Sequence, residues 1–125
     1  YAAEAQSEEL PPASFNDSYE YLEQSGKMHL ICSFYNYDLS GFLNLLVSTV
    51  PHYTVPIATT ESFFVSEKYR KGGTGLKLLA YAENLAHKLG APAILVSAPT
   101  NSRLDKVLAR SSYRASNTVY SKRLA

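Results

Sequence analysis

Apolar residues recur along this chain in two rhythms, at alternate positions in one stretch and at helical spacing in another. Met28, Leu30, Cys32 and Phe34 alternate with His29, Ile31, Ser33 and Tyr35, and apolar residues resume at Phe42, Leu43, Leu45, Leu46 and Val47. The pattern predicts two strands joined by a turn at Asp38-Leu39-Ser40-Gly41. Pro51-His52-Tyr53 breaks the second strand, and Pro56 admits a third only as an edge, a bulge or a start, so that strand is expected over about 57–65. Upstream, Asp17 and Glu20 resemble a capping box, Tyr21 and Leu22 supply an apolar stripe, and Gly26 stops a short helix expected over about 17–25.

Leu76, Leu79, Ala80, Glu83, Ala86 and Leu89 recur at helical spacing and predict a helix over about 74–89. Gly90 is its expected C-terminal cap, and Pro92 bars its extension. Residues 93–97 read as a buried strand of the type that follows a crossover helix, which makes 61–97 a β-α-β unit with parallel strands. Asn101 or Ser102 can cap another helix through Leu104, Val107 and Leu108, and residues 118–124 alternate as a last strand.

With 125 residues, 46% hydrophobic and 18% charged, the chain is long enough for one compact domain with a core. Residues 1–13, which include Glu4, Glu8, Glu9 and Pro11-Pro12, read as an acidic arm, and 14–125 as the single domain. Tyr1 is not a methionine, so a trimmed product or part of a longer polypeptide is expected. A net charge of +1 gives no bulk argument for a nucleic-acid surface. Arg103, Lys106, Arg110, Arg114, Lys122 and Arg123, interleaved with Tyr113 and Tyr120, are the only local pattern toward one, and a solvated face explains them as well. Nucleic acid is therefore an unfavoured partner.

Cys32 is the single cysteine, so no intrachain disulfide forms, and its strand setting favours burial. Three scattered histidines make no zinc pattern, and no metal is expected. No apolar run approaches the roughly 20 residues that span a bilayer, so a membrane partner is not expected and a cytoplasmic location is.

The most specific signal is Tyr69-Arg70-Lys71-Gly72-Gly73-Thr74-Gly75-Leu76, set between the strand at 61–65 and the long helix. Amides at a helix N-terminus hold roughly half an elementary positive charge, glycines let the backbone come close to a guest, and Arg70 and Lys71 add full charges. A pyrophosphate suits such a turn. The nucleoside-triphosphate loop needs a Lys-Ser/Thr pair after the last glycine, which is missing, and the dinucleotide pattern fails on glycine spacing.

These residues resemble the acetyl-CoA loop of the GCN5-related N-acetyltransferase (GNAT) family, Arg/Gln-x-x-Gly-x-Gly/Ala, with Arg70, Gly73 and Gly75 in the defining places. The likeness covers about 27–124, and short acetyltransferases of phage and prophage origin are similar in texture. The resemblance implies an α+β (α/β three-layer) fold: a mixed, mostly antiparallel central sheet with a β-α-β unit that binds acetyl-CoA. It implies cofactor contacts from Arg70, Lys71, Gly72, Gly73, Thr74, Gly75 and Leu76, a pantetheine-facing edge at Phe64 and Val65, and a contact from Asn101, which otherwise simply caps a helix. It also implies transfer of an acetyl group to a primary amine by direct attack in a ternary complex. The acceptor would be a small molecule or a protein amine, and a homodimer is compatible.

Such a reaction needs a group to take the amine's proton and a donor for the departing thiolate. In the family a tyrosine about five residues before an aromatic corresponding to Tyr113 often protonates the thiolate, and here Leu108 holds that place, with Ser112 where a glycine is common. Tyr113 and Tyr120 are the substitutes, though packing explains most of ten tyrosines. His52, after the second strand, and Glu61, at the start of the cofactor-bordering strand, are the candidate bases; each could equally face solvent. The missing tyrosine keeps open an alternative, a weak or inactive acyl-CoA-binding or interaction protein on the same fold.

Overall fold

The computed structural model describes residues 24–49 and 51–124. The acidic arm lies outside them, as does almost all of the helix expected over 17–25. The described residues fall into two compact units divided after Ser97.

The first unit is built on a four-stranded sheet of order β1-β2-β3-β4, comprising β1 (Met28–Tyr35), β2 (Asp38–Thr49), β3 (Pro56–Val65) and β4 (Ile94–Leu95). The first three strands are antiparallel, and β4 runs parallel to β3 after a crossover through helix α1 (Thr74–Lys88). The sheet is therefore mixed and mostly antiparallel, with the expected β-α-β unit. Pro56 begins β3, the position where a missing N–H costs least.

The first hairpin turns earlier than its sequence suggests. Asp38 to Gly41 are strand, Tyr35 pairs with Asp38, and the turn is Asn36-Tyr37 with φ of 48° and 70°. Two left-handed central residues form the tight turn whose twist matches flanking strands, and asparagine tolerates that conformation well. The apparent turn residue Ser40 is instead the extra residue of a bulge, because Ser33 pairs with Gly41 and Phe34 with Leu39.

The core lies between one face of the sheet and α1, where Leu43, Leu45 and Ala58 meet Leu78, Leu79, Ala82 and Ala86, all buried. The buried stripe of α1 is rotated from the expected one, and Leu76, Ala80 and Glu83 are exposed. Gly75 sets this phase: a Cβ there would touch Val65 and Phe63, so the helix docks on β3 at Gly75 and buries the positions three, four, seven and eleven residues later. At the other end Gly90 is left-handed at φ 89°, Gly90 N donates to His87 O, and Ala91 N donates to Ala86 O, the paired closure expected of a glycine stop.

Three other expectations change. The strand at 93–97 shrinks to two residues, with Ile94 half-buried and Leu95 exposed, because the chain leaves β3 once Ser97 N has met Thr60 Oγ1 at 3.1 Å. Cys32 is exposed, since it lies on the β1 face turned away from α1 with Leu30 and Phe34, which are exposed too. Residues 118–124 form no strand: Val119, Tyr120 and Leu124 are about nine-tenths exposed, and alternation alone does not hold a strand that lacks an edge to pair with.

The second unit contains helix α2 (Arg103–Ala109). Ser102, rather than Asn101, is its cap: Asp105 N donates to Ser102 Oγ at 3.2 Å, and Asp105 Oδ2 accepts from Asn101 N at 2.8 Å.

Candidate functional site

The site is built where β3 gives way to α1. After Val65 the chain winds through a 3-10 segment (Glu67–Gly72) and enters the helix through Gly73. Ser66 N donates to Ser40 O at 2.9 Å, so the bulge in β2 anchors the first residue of the connection. Arg70 Nε donates to Val65 O at 2.8 Å, and its guanidinium carbon is 5.9 Å from the centroid of the Phe64 ring. Arg70, expected from sequence to add a full charge beside the turn, thus also braces the loop against the end of its own strand. Tyr69 packs near Tyr35 at 5.7 Å between centroids, and the exposed Lys68–Asp38 pair at 3.9 Å adds little.

Gly73 is left-handed at φ 78°, with nothing within 4 Å of a Cβ placed there, so glycine is required by conformation and not by space. The α1 ladder opens with Lys77 N donating to Gly73 O at 3.1 Å, and no side chain caps the start. The amides of Thr74, Gly75 and Leu76 consequently precede the ladder and present the positive end of a 15-residue helix. Lys71 and Gly72, both exposed, belong to the 3-10 segment. The stretch expected to act as one run of amides is therefore two structures hinged at Gly73.

The outer edge of β3 is the second element. Asn44 pairs with Ser62 and Leu45 with Thr60, which leaves Glu61 as the extra residue of a bulge in β3. β4 pairs only with Ala58 and Thr59. From the bulge to Val65, among the described residues, β3 has β2 along one side and no strand along the other, so alternate N–H and C=O groups point outward. Phe64 and Val65 lie on this stretch, both half-buried. Glu61 is half-buried, and its Oε2 accepts from Asn44 Nδ2 at 3.4 Å.

Glu61, Phe64, Val65 and the glycine loop share the C-terminal half of β3 and the turn after it. His52 is elsewhere, exposed in the loop before β3 and edge-on to Tyr53 at 4.9 Å between centroids. Ten residues of β3 separate that loop from the glycine turn, roughly 30 Å of extended chain. Asn101, Tyr113 and Tyr120 belong to the second unit. Asn101 has φ 63° beside the α2 cap, Tyr113 is half-buried with its N–H donated to Ser111 Oγ at 3.1 Å, and Tyr120 is exposed. Leu108, in the place of the family's tyrosine, is a half-buried residue of α2.

Sequence reasoning passed over Ser40 and Asn44. Both are polar residues in or beside an apolar strand run, and that mismatch was the available signal. Among the described residues no group of His, Cys, Asp and Glu could hold a metal ion, and no helix is long and apolar enough to cross a membrane.

The sequence pattern of the acetyltransferase (GNAT) family matches residues 2–111. No curated protein matches the chain. Among solved structures, the chain is similar to an aminoglycoside acetyltransferase from an uncultured soil metagenomic sample, solved with trehalose, at 14% identity and a TM-score of 0.75, covering 98% of this chain and 82% of the other. It is similar to an aminoglycoside N-acetyltransferase solved with CoA, at 12% identity and a TM-score of 0.70, covering 87% and 85%. It is also similar to a ribosomal-protein-alanine N-acetyltransferase from Brucella melitensis biovar Abortus 2308, at 18% identity and a TM-score of 0.68, covering 86% and 80%. At these identities the likeness is one of fold, and the phage-like texture gains no support from it.

Proposed function

The chain belongs to the acetyltransferase (GNAT) family, and from that premise we propose that it transfers an acetyl group from acetyl-CoA to a primary amine by direct attack within a ternary complex. The observation that supports this reading most is the junction of β3 and α1, where three helix-leading amides follow the stretch of β3 that runs past its pairing with β4. Acetyl-CoA, as the donor substrate, supplies the activated acyl thioester. The amides of Thr74, Gly75 and Leu76, with the charge of Lys71 nearby, are suited to its pyrophosphate. The outward amides and carbonyls between Ser62 and Val65 are suited to the amide-bearing pantetheine arm, as they would be to a neighbouring strand.

Glu61 is the base in this reading, directly or through water, which its position in the bulge at the inner end of that edge supports. Proton donation to the thiolate falls to Tyr113 or Tyr120, with Asn101 as a further contact. The acceptor is an amine-bearing small molecule or a protein amine, met in the cytoplasm by a chain that can pair as a homodimer, with neither membrane nor nucleic acid required. A second reading, a weak or inactive acyl-CoA-binding protein, is favoured by Leu108 standing where the family's tyrosine commonly stands.

Calorimetric titration with acetyl-CoA followed by thiol release across a panel of primary amines separates the two. Binding with amine-dependent thiol release is expected. Binding without release leaves the second reading, and no binding at millimolar acetyl-CoA removes both.

A further inference from the structure

Asn44 is among the least comfortable residues of the first unit. It occupies the middle of β2 between Leu43 and Leu45, which have no exposed surface, and is itself 3% exposed. Its Nδ2 donates to Met28 Sδ at 3.1 Å and to Glu61 Oε2 at 3.4 Å, while its Oδ1 is buried with no hydrogen-bond partner. An acceptor buried without a donor is destabilising, and a leucine of similar size would remove that cost. The carboxylate dictates the amide's orientation, since turning it over would set two acceptors against each other.

Asn44 also stands at the register shift. It is the last residue of β2 paired before the bulge, and the extra residue opposite is Glu61. Bulges re-aim a side chain but leave it on irregular backbone, so a re-aimed side chain needs something to hold it. The amide does this from a rigid central strand, held in turn by the Met28 sulfur on the neighbouring one.

We propose that Asn44 is the positioning residue for Glu61, holding the carboxylate of the proposed base in one orientation at the inner end of the open β3 edge. The proposal rests on the acetyl-transfer reading. The hydrogen bond to Oε2 ties one carboxylate oxygen to a donor that is itself buried and fixed in a central strand.

The test has a part that needs no turnover. In the 15N-labelled full chain, the Asn44 side-chain amide signals are assigned by their loss in Asn44→Leu, and their proton shifts are compared between the unaltered protein and Glu61→Gln. A shift of the Asn44 signals is expected, with those of Asn36 in the exposed hairpin turn as the unmoved reference; unmoved Asn44 signals overturn the proposal. If Asn44→Leu does not fold, the signals are assigned through the backbone of the unaltered chain, and Glu61→Gln still gives the answer.

The kinetic part is a double-mutant cycle with acetyl-CoA and the amine that gives most thiol release. Asn44→Leu is expected to lower kcat roughly tenfold with the KM for acetyl-CoA unchanged, and to cost nothing further in the Glu61→Gln background. An equal loss in both backgrounds marks a purely structural role and overturns this inference alone. An unaltered chain that binds acetyl-CoA yet transfers nothing overturns the acetyl-transfer reading and this role with it, whatever the amide signals do.

Discussion

Replacing Gly41 with alanine tests whether β2, β3 and α1 are held at the close approach they make at this glycine. A Cβ at this position would lie 2.7 Å from Phe64 O, 3.2 Å from Leu78 Cδ1 and 3.3 Å from Val65 Cα. The leucine methyl can rotate aside. The Phe64 carbonyl and the Val65 backbone cannot, because they belong to a strand paired to β2 through Gly41 itself. Relief requires β3 to shift by a few tenths of an ångström at the stretch that precedes the glycine loop. Overpacking of this kind costs about 1–3 kcal/mol, and the lower conformational freedom of the unfolded alanine chain returns about 0.4–1 kcal/mol. A net loss of about 1.3 kcal/mol is expected, and at about 4 °C per kcal/mol for a chain of this size it lowers the thermal midpoint by about 5 °C. Gly72→Ala is the matched control, since a Cβ there meets nothing within 4 Å. Circular dichroism melts of both variants give the measurement. A Gly41→Ala midpoint within about 2 °C of the parent would show that the strands give way freely and would refute the argument.

Gly73→Val is expected to weaken acetyl-CoA binding at least tenfold by calorimetry while the fold persists, because a β-branched residue resists φ 78° at the hinge between the 3-10 segment and α1. Arg70→Lys should also weaken binding, since lysine cannot reproduce the Nε brace on Val65 O; unchanged affinity would show that the brace does not matter for binding. Ser102→Ala should cost about 1 kcal/mol in urea unfolding through loss of the α2 cap, and a loss below about 0.3 kcal/mol would discount that bond. His52→Ala is expected to leave kcat within about twofold while Glu61→Gln lowers it by about 100-fold, the reverse order restoring His52 as the base.

Where a rhythm was long and a stop residue strong, the sequence was legible. The three antiparallel strands, the start of β3 at Pro56, the extent of α1 and its glycine stop all follow from spacing and from residues with one physical role. Gly73 and Gly75 likewise marked the loop before any coordinates did. What stayed hidden depends on contacts between distant segments. The phase of α1 is set by Gly75 against Phe63 and Val65, not by the helix's own apolar count. The bulges at Ser40 and Glu61 are register effects, visible only once two strands are laid side by side. Residues 118–124 show the opposite error: alternation reported a preference for extended chain without a place to pair. The two candidate bases differ in place in a way the linear chain does not show: His52, slightly favoured by sequence, lies in the loop before β3, and Glu61 lies within that strand near the glycine loop.

A bare strand edge is also a hazard, since its evenly spaced groups can recruit an identical strand from another molecule and seed fibrous aggregates. The irregular step at Glu61 breaks that even spacing and sets an acidic group beside it, so an approaching strand in regular register finds its partners misaligned. The opening that suits a short flexible guest is, by the same irregularity, poorly suited to polymerisation.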